Sequence, residues 1–122
     1  DLSFMEAEES VLSVTHADIG SWLAERWNLP DHLVEGVLLH ATPGKAEKNP
    51  ELVAIIHCAD VFAARINGGP VEFDKGIDFD QSALARLKLE DPNVLEQYIK
   101  NYSEVINTDI REAAMIAHLN VM

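Results

Sequence analysis

Residues 15–43, THADIGSWLAERWNLPDHLVEGVLLHATP, carry the start and stop signals of two successive helices. Thr15 and Asp18 are spaced as a capping box, with Asp in place of the usual Glu or Gln. Apolar residues then recur at three- and four-residue steps, which predicts one buried helical face: Ile19, Trp22, Leu23 and Trp27. His16 lies one turn before Ile19, so we expect its side chain to point inward with that face.

A second helix is predicted after the break at Asn28-Leu29-Pro30. Pro30 suits the first turn of a helix, and Asp31 favours its positive end. The apolar stripe of this helix comprises Leu33, Val34, Val37 and Leu38. His40 falls near the end of the helix, and Pro43-Gly44 stops it.

The rest of the chain is also predicted to be helical. Helices are expected over 1–13, 50–66 and 80–89, and from 91 onward. The last of these either restarts at Thr108-Asp109 or continues through it. Residues 71–80 are interpreted as an ordered loop. No stretch has the period of two that is typical of a strand, so the sequence predicts an all-α fold of six or seven helices.

The helix at 50–66 has the widest apolar face, which is typical of a central, well-covered helix. Its predicted buried residues are Leu52, Ile55, Ile56, Ala59, Phe62, Ala63 and Ile66.

Composition limits the classes of function. The 122 residues suffice for one domain with a single core, and their net charge of −12 argues against a nucleic-acid partner. No apolar run is long enough to span a membrane. Cys58 is the one cysteine, which excludes an internal disulfide and suits a cytoplasmic protein; we expect a buried, inert thiol. The first residue is Asp1 rather than Met, which suggests an engineered start, a processed product or a piece of a longer chain.

Two motifs in the opening stretch resemble a known family. H-x-x-I-G-x-x-L-x-x-x-W-N-L-P begins at His16, and the next helix ends in H-x-x-P at His40. Together they resemble the C-terminal half of an HDOD domain, a relative of the HD-type metal phosphohydrolases. The resemblance extends from the start of the chain to about Asn67. It implies one HD-like helical bundle over residues 1–122, without the first helices of the full family domain.

The resemblance also implies a set of metal ligands. Ala59-Asp60 resembles the motif that closes the HD metal site, so His16, His40 and Asp60 stand at positions that bind metal in the catalytic enzymes. Two imidazoles and a carboxylate suit Mn, Fe or Zn, which would activate water to attack a phosphate ester. The residues themselves leave two other roles open, which are a His16–Asp60 hydrogen bond and a His57–Asp60 pair within one helix.

Departures from the family's pattern argue against catalysis. The catalytic core has a His-Asp pair well upstream of the position of His16, and none of the fifteen residues before His16 is histidine. The cyclic-dinucleotide branch has a second histidine where Ala41 stands, and a Gly-Tyr-Pro motif where Thr42-Pro43-Gly44 follows. With three ligands at most, we expect no enzyme activity and no cofactor.

Two hypotheses about function follow. The first is a non-catalytic bacterial signal-transduction module of the HDOD type, which acts through a protein partner, a fused signalling domain or a homodimer. A half-domain exposes apolar surface that other helices would have covered, and this favours such contacts. The second is a metal-dependent phosphohydrolase, for example a cyclic-dinucleotide phosphodiesterase, or a fragment of one.

Overall fold

The computed structural model describes residues 2–66 and 78–121, and these residues are mostly helical. The helices are α1 (Phe4–Leu12), α2 (His16–Arg26), α3 (Asp31–Leu39), α4 (Pro50–Ile66), α5 (Gln81–Arg86) and α6 (Pro92–Val121), with a 3-10 turn at Pro43–Lys45. Over the same ranges there is no β-strand. The all-α prediction is confirmed. Most of the loop predicted at 71–80 lies outside the described residues.

Side-chain caps set where the first helices begin. Thr15 and Asp18 form the predicted capping box, with the Thr15 hydroxyl accepting from the Asp18 backbone N–H. Ser3 and Glu6 form a second capping box, and this is why α1 begins at Phe4 rather than at the start of the chain.

The predicted break after α2 is a Schellman motif. Asn28 adopts a left-handed conformation, with φ of 57°. The Leu29 N–H donates to the Ala24 carbonyl at 3.0 Å, and the Asn28 N–H donates to that of Glu25. These bonds satisfy carbonyls that the end of the helix would otherwise leave unpaired.

The chain divides into two compact units, residues 1–88 and 89–122. In the first unit, α2 packs against α3, α3 against α4, and α4 against α5 and the 3-10 turn. The second unit contains α6, which continues without a break through Thr108 and Asp109. The Thr108 hydroxyl donates to the Glu104 carbonyl at 2.9 Å, so this polar side chain is accommodated inside the helix.

The buried side of α2 is not the one predicted. Ala17, Ser21 and Ala24 are buried, whereas the predicted face is exposed and includes Trp22 at 55 % and Trp27 at 68 %. A Cβ added at Gly20 would lie 2.8 Å from Cγ1 of Val37 on α3. The two helices approach so closely that small residues must line the contact, and the large side chains turn outward. We call Ile19, Trp22, Leu23 and Trp27 the outer face of α2.

The predicted face of α4 is also wrong in part. Ile55 is 52 % exposed, and Ala59 and Ala63 are exposed as well. The buried side comprises Val53, Ala54, His57 and Val61. A helix that is apolar over most of its circumference has no unique buried side in its sequence, so its neighbours α3 and α5 decide the orientation.

Candidate functional site

His16 is the first residue of α2, and a carboxylate from α1 holds it. Glu8 accepts from the His16 ring Nδ1 at 2.7 Å through Oε1, and its Oε2 accepts from the His16 backbone N–H. The Glu8 side chain is only 12 % exposed, whereas that of His16 is 48 % exposed. The predicted inward orientation of His16 is therefore wrong. The His16–Asp60 hydrogen bond, which the sequence left open, does not form, because Glu8 is the acceptor.

His40 follows the last residue of α3 and comes close to His16. Its ring Nδ1 donates to the Val37 carbonyl at 2.6 Å. The Nε2 atoms of His40 and His16 are 3.2 Å apart, and their ring centroids are 5.2 Å apart. The structure thus brings together His16 and His40, two of the three predicted metal ligands, although they belong to different helices.

The hydrogen bonds of the His16 and His40 rings determine which nitrogen of each ring carries the proton. A carbonyl and an ionised carboxylate can only accept, so Nδ1 carries the proton in both His40 and His16. In the neutral rings each Nε2 then has a lone pair directed at the other. The pair can share a hydrogen bond when one ring gains a second proton, or it can bind a cation between the rings. Two imidazole nitrogens on one tetrahedral zinc are about 3.3 Å apart, close to this separation.

His57 has a structural role that the sequence did not reveal. It is 5 % exposed on α4, and both of its ring nitrogens are bonded. Nδ1 donates to the His40 carbonyl at 2.7 Å, and Nε2 accepts from the Asp80 backbone N–H at 2.9 Å. The suggested His57–Asp60 pair is therefore wrong. His57 instead ties the end of α3 to the start of α5, and so supports His40.

Asp80 begins α5 and carries a perturbed carboxyl. Its side chain accepts from the backbone N–H groups of Ser82 and Ala83 as the N-cap. The hydrogen bond from the Ser82 hydroxyl is the main cause that lowers the pKa of Asp80, with smaller contributions from these backbone N–H groups and from His57. Asp80 in turn raises the pKa of the Cys58 thiol, although burial is the larger cause. Cys58 is half-buried rather than buried, but the raised pKa suits the inert thiol that we expected.

Asp60 is not a hydrogen-bond partner of His16 or His40. Its side chain is exposed. Among the described residues, no group of three or more His, Cys, Asp or Glu side chains is placed to hold a metal ion. Two imidazoles are fewer than the three protein ligands of a catalytic zinc site, so these residues do not fit the implied metal centre by themselves. The assignment of Asp60 as a ligand stays a prediction.

Hydrogen bonds and a ring contact link Glu8, His16, His40, His57 and Asp80 in chain order, and these residues lie in or beside the five helices α1 to α5.

The first part of the chain, which contains Glu8, His16 and His40, resembles a known family. Residues 1–43 match the model of the HDOD domain. Searches of curated proteins and of solved structures found no match.

The HDOD match covers the N-terminal part of the chain and ends at Pro43. It includes Glu8, His16 and His40, and it stops before α4, which carries His57 and Asp60. The resemblance drawn from the motifs extended further, to about Asn67. The resemblance to the HDOD domain is thus confirmed for residues 1–43. The metal-ligand role that the resemblance implies for Asp60 rests on the Ala59-Asp60 motif alone.

Sequence reasoning missed Glu8 and His57 for different reasons. Glu8 belongs to an acidic run that is typical of a solvated face, and nothing local shows that the turn after α1 brings it back to His16. His57 has a weak signal, because a histidine inside an apolar helix needs hydrogen-bond partners when it is buried. Its partners come from residues 17 and 23 positions away, so the pairing itself could not be read from the sequence.

Proposed function

We propose that this chain is a non-catalytic regulatory module of the HDOD type that acts in cytoplasmic signal transduction by binding another protein or a fused domain. The observation that carries the proposal is the outer face of α2. This face presents two tryptophans and two branched aliphatic side chains on the exposed side of a helix. Large exposed apolar side chains grouped on one face are typical of protein-binding surfaces.

The composition of the outer face favours a protein partner. Arg26 lies one turn from both Trp22 and Leu23, so a guanidinium borders the apolar residues. Tryptophan and arginine are enriched among residues that dominate binding energy at interfaces. None of the helices described in 2–66 and 78–121 is long and apolar enough to cross a bilayer. The inner side of α2 is already occupied by α3, which leaves the outer face for docking.

Photo-crosslinking tests the proposal. A benzoylphenylalanine at Trp22 should give a defined adduct with one protein in cells that produce the chain. The matched control places the same group at His32, which is exposed on α3 outside the outer face. Adducts that are equal at the two positions, or absent at both, would count against a partner at the outer face.

Tryptophan fluorescence gives a second readout with the captured partner. Because both indoles are largely exposed in the free chain, their emission should move to shorter wavelength when the partner covers them. Leu23→Ser should weaken binding while circular dichroism stays unchanged. If Leu23→Ser binds like the natural chain, the partner uses another surface.

A metal-dependent phosphohydrolase is the second candidate. The observation that favours it is the 3.2 Å separation of the His16 and His40 Nε2 atoms, which suits two ligands of one metal. Asp60 and groups outside the described residues would have to complete the ligand set. Elemental analysis of the purified chain tests this candidate, because stoichiometric manganese, iron or zinc that His40→Ala loses and His32→Ala retains would support it. If Asp60 is a ligand, Asp60→Ala should lower the melting temperature of the metal-loaded chain and leave that of the chelator-treated chain unchanged.

A further inference from the structure

The helix α6 carries an apolar stripe along its whole length. Its 30 residues extend for about 45 Å, and apolar residues recur in two successive repeats of eleven. The stripe comprises Leu95, Ile99, Tyr102, Ile106, Ile110, Ala113 and Ala117. An eleven-residue repeat stays on one side of an almost straight helix. The stripe is therefore suited to packing against another long, straight helix.

The size of the side chains changes from one end of the stripe to the other. Tyr102 on the stripe and Tyr98, which borders it one turn earlier, make the first half bulky, and their rings contact each other with centroids 4.6 Å apart. Ala113 and Ala117 make the second half small. Tyr102, Ala113 and Ala117 are all exposed. Well-packed helix pairs place large residues opposite small ones, so this gradient favours a partner with the reverse order of sizes.

We propose that α6 pairs with α6 of a second copy of this chain, in antiparallel orientation. A second α6 that runs in the opposite direction presents its small side chains to the large ones of the first, and its large side chains to the small ones. With the twofold axis between Asn107 and Thr108, Tyr102 of one copy faces Ala113 of the other, and Tyr98 faces Ala117. A parallel pair would place tyrosine against tyrosine at one end and alanine against alanine at the other, which crowds the first end and leaves a gap at the second.

Asp109 favours the same orientation. It lies on the stripe side of the helix, seven residues after Tyr102 and one turn after Ile106. In a parallel pair the two Asp109 carboxylates would face each other across the contact. In the antiparallel pair each Asp109 lies opposite Ile106 of the other copy, so the two charges are offset along the helices. One polar residue in an apolar stripe is a known way to select one arrangement of paired helices.

The exposed area predicts a weak dimer. The exposed parts of the two tyrosines and of the neighbouring aliphatic residues would bury about 1,000 Å² over both copies, near the lower limit for a specific interface. Each chain has a net charge of −12, so the copies repel each other at low salt. We therefore expect micromolar affinity that increases with ionic strength, whereas a contact with a basic partner would weaken. This pairing does not depend on the outer face of α2.

Sedimentation equilibrium of the full chain, from micromolar to near-millimolar concentration, tests the proposal. The natural chain should dimerise more tightly at high salt than at low salt. Tyr102→Glu should weaken dimerisation about tenfold or more, because it places a charge at the centre of one half of the contact. The matched control is Thr108→Glu, which introduces the same charge on the opposite side of α6 and should dimerise like the natural chain.

Two further variants keep the test decisive if Tyr102→Glu fails to fold. Asp109→Ala should tighten the dimer. In a Cys58→Ser background, Tyr102→Cys and Ala113→Cys should form a disulfide with each other when mixed with oxidised glutathione as the oxidant, and neither should form one alone. Disulfides between two Tyr102→Cys chains would show a parallel pair and overturn the proposal.

Other outcomes also overturn it. A chain that stays monomeric over the whole concentration range has no α6 pair. A dimer that survives Tyr102→Glu but is lost on Trp22→Glu forms through the outer face of α2. That second outcome would leave the proposed function standing while removing the role of α6.

Discussion

The two sides of α2 differ in a way that reverses the usual amphipathic helix. The side against α3 is lined by alanine, serine and glycine and is buried. The outer face carries two tryptophans, a leucine and an isoleucine, and it is exposed. On this helix the small residues are buried and the large apolar residues are exposed, which is the reverse of the usual pattern. Close approach of two helices selects small residues at their contact, and the large apolar residues on the far side of α2 stay exposed.

His57 on α4 is buried and hydrogen-bonds to backbone groups at the end of α3 and the start of α5. Loss of these two hydrogen bonds should have the largest effect on stability. We expect His57→Ala to lower the free energy of unfolding by about 3 kcal/mol, because the Asp80 N–H and the His40 carbonyl lose their partner in a buried site. Urea denaturation of the two chains measures the difference.

His32→Ala is the matched control for this change. His32 is exposed, so the stability should stay within about 0.5 kcal/mol of the natural chain. Equal effects of the two substitutions would mean that His57 does not hold α3 and α5 together.

Overpacking the inner side of α2 should have the next largest effect. Ala24 is 4 % exposed, and Ala24→Leu should destabilise the fold by about 2 kcal/mol because the contact with α3 has no room for the added carbons. On the outer face, Leu23→Ala should cost about 1 kcal/mol, since much of that side chain is already exposed. A larger loss from Leu23→Ala than from Ala24→Leu in thermal unfolding would reverse the assignment of the two sides.

Two glycines test how closely the helices pack, with smaller expected effects on stability. Gly20→Ala brings a Cβ within 2.8 Å of the stiff Val37 side chain, so we expect a net loss of about 1 kcal/mol despite the better helix propensity of alanine. At Gly36 the added Cβ meets Cδ1 of Ile56, the flexible end of a side chain that can move away. Gly36→Ala should therefore be nearly neutral. Equal melting temperatures of the two variants would show that α2 and α3 are less closely packed than this.

Cys58 gives the smallest and most local test, at the boundary between buried and exposed parts of α4. Burial first, and then the charge of Asp80, raise the pKa of its thiol, which lowers the fraction of reactive thiolate at neutral pH. Iodoacetamide should react more slowly with Cys58 than with an unstructured cysteine peptide. Asp80→Asn removes the charge while keeping a good N-cap, so the rate should rise about twofold. An unchanged rate would mean that burial alone controls the thiol.

The candidate site was predictable in part. His16 and His40 stand out in the sequence by their motifs, and the structure places their Nε2 atoms 3.2 Å apart. Glu8 could not be assigned, because an acidic residue in a helix has no feature that names a partner eight residues away. His57 looked like a local partner of Asp60, whereas its partners are backbone groups at the ends of α3 and α5.

The positions at which most helices begin and end follow from the local sequence. The Thr15–Asp18 capping box, the break after Trp27 and the Pro50 start act within a few residues, so local chemistry suffices to place them. Packing between helices, in contrast, sets which sides of α2 and α4 are buried, and it makes Glu8 the carboxylate that holds His16. Those choices depend on how closely separate helices approach, and that distance results from all their side chains together.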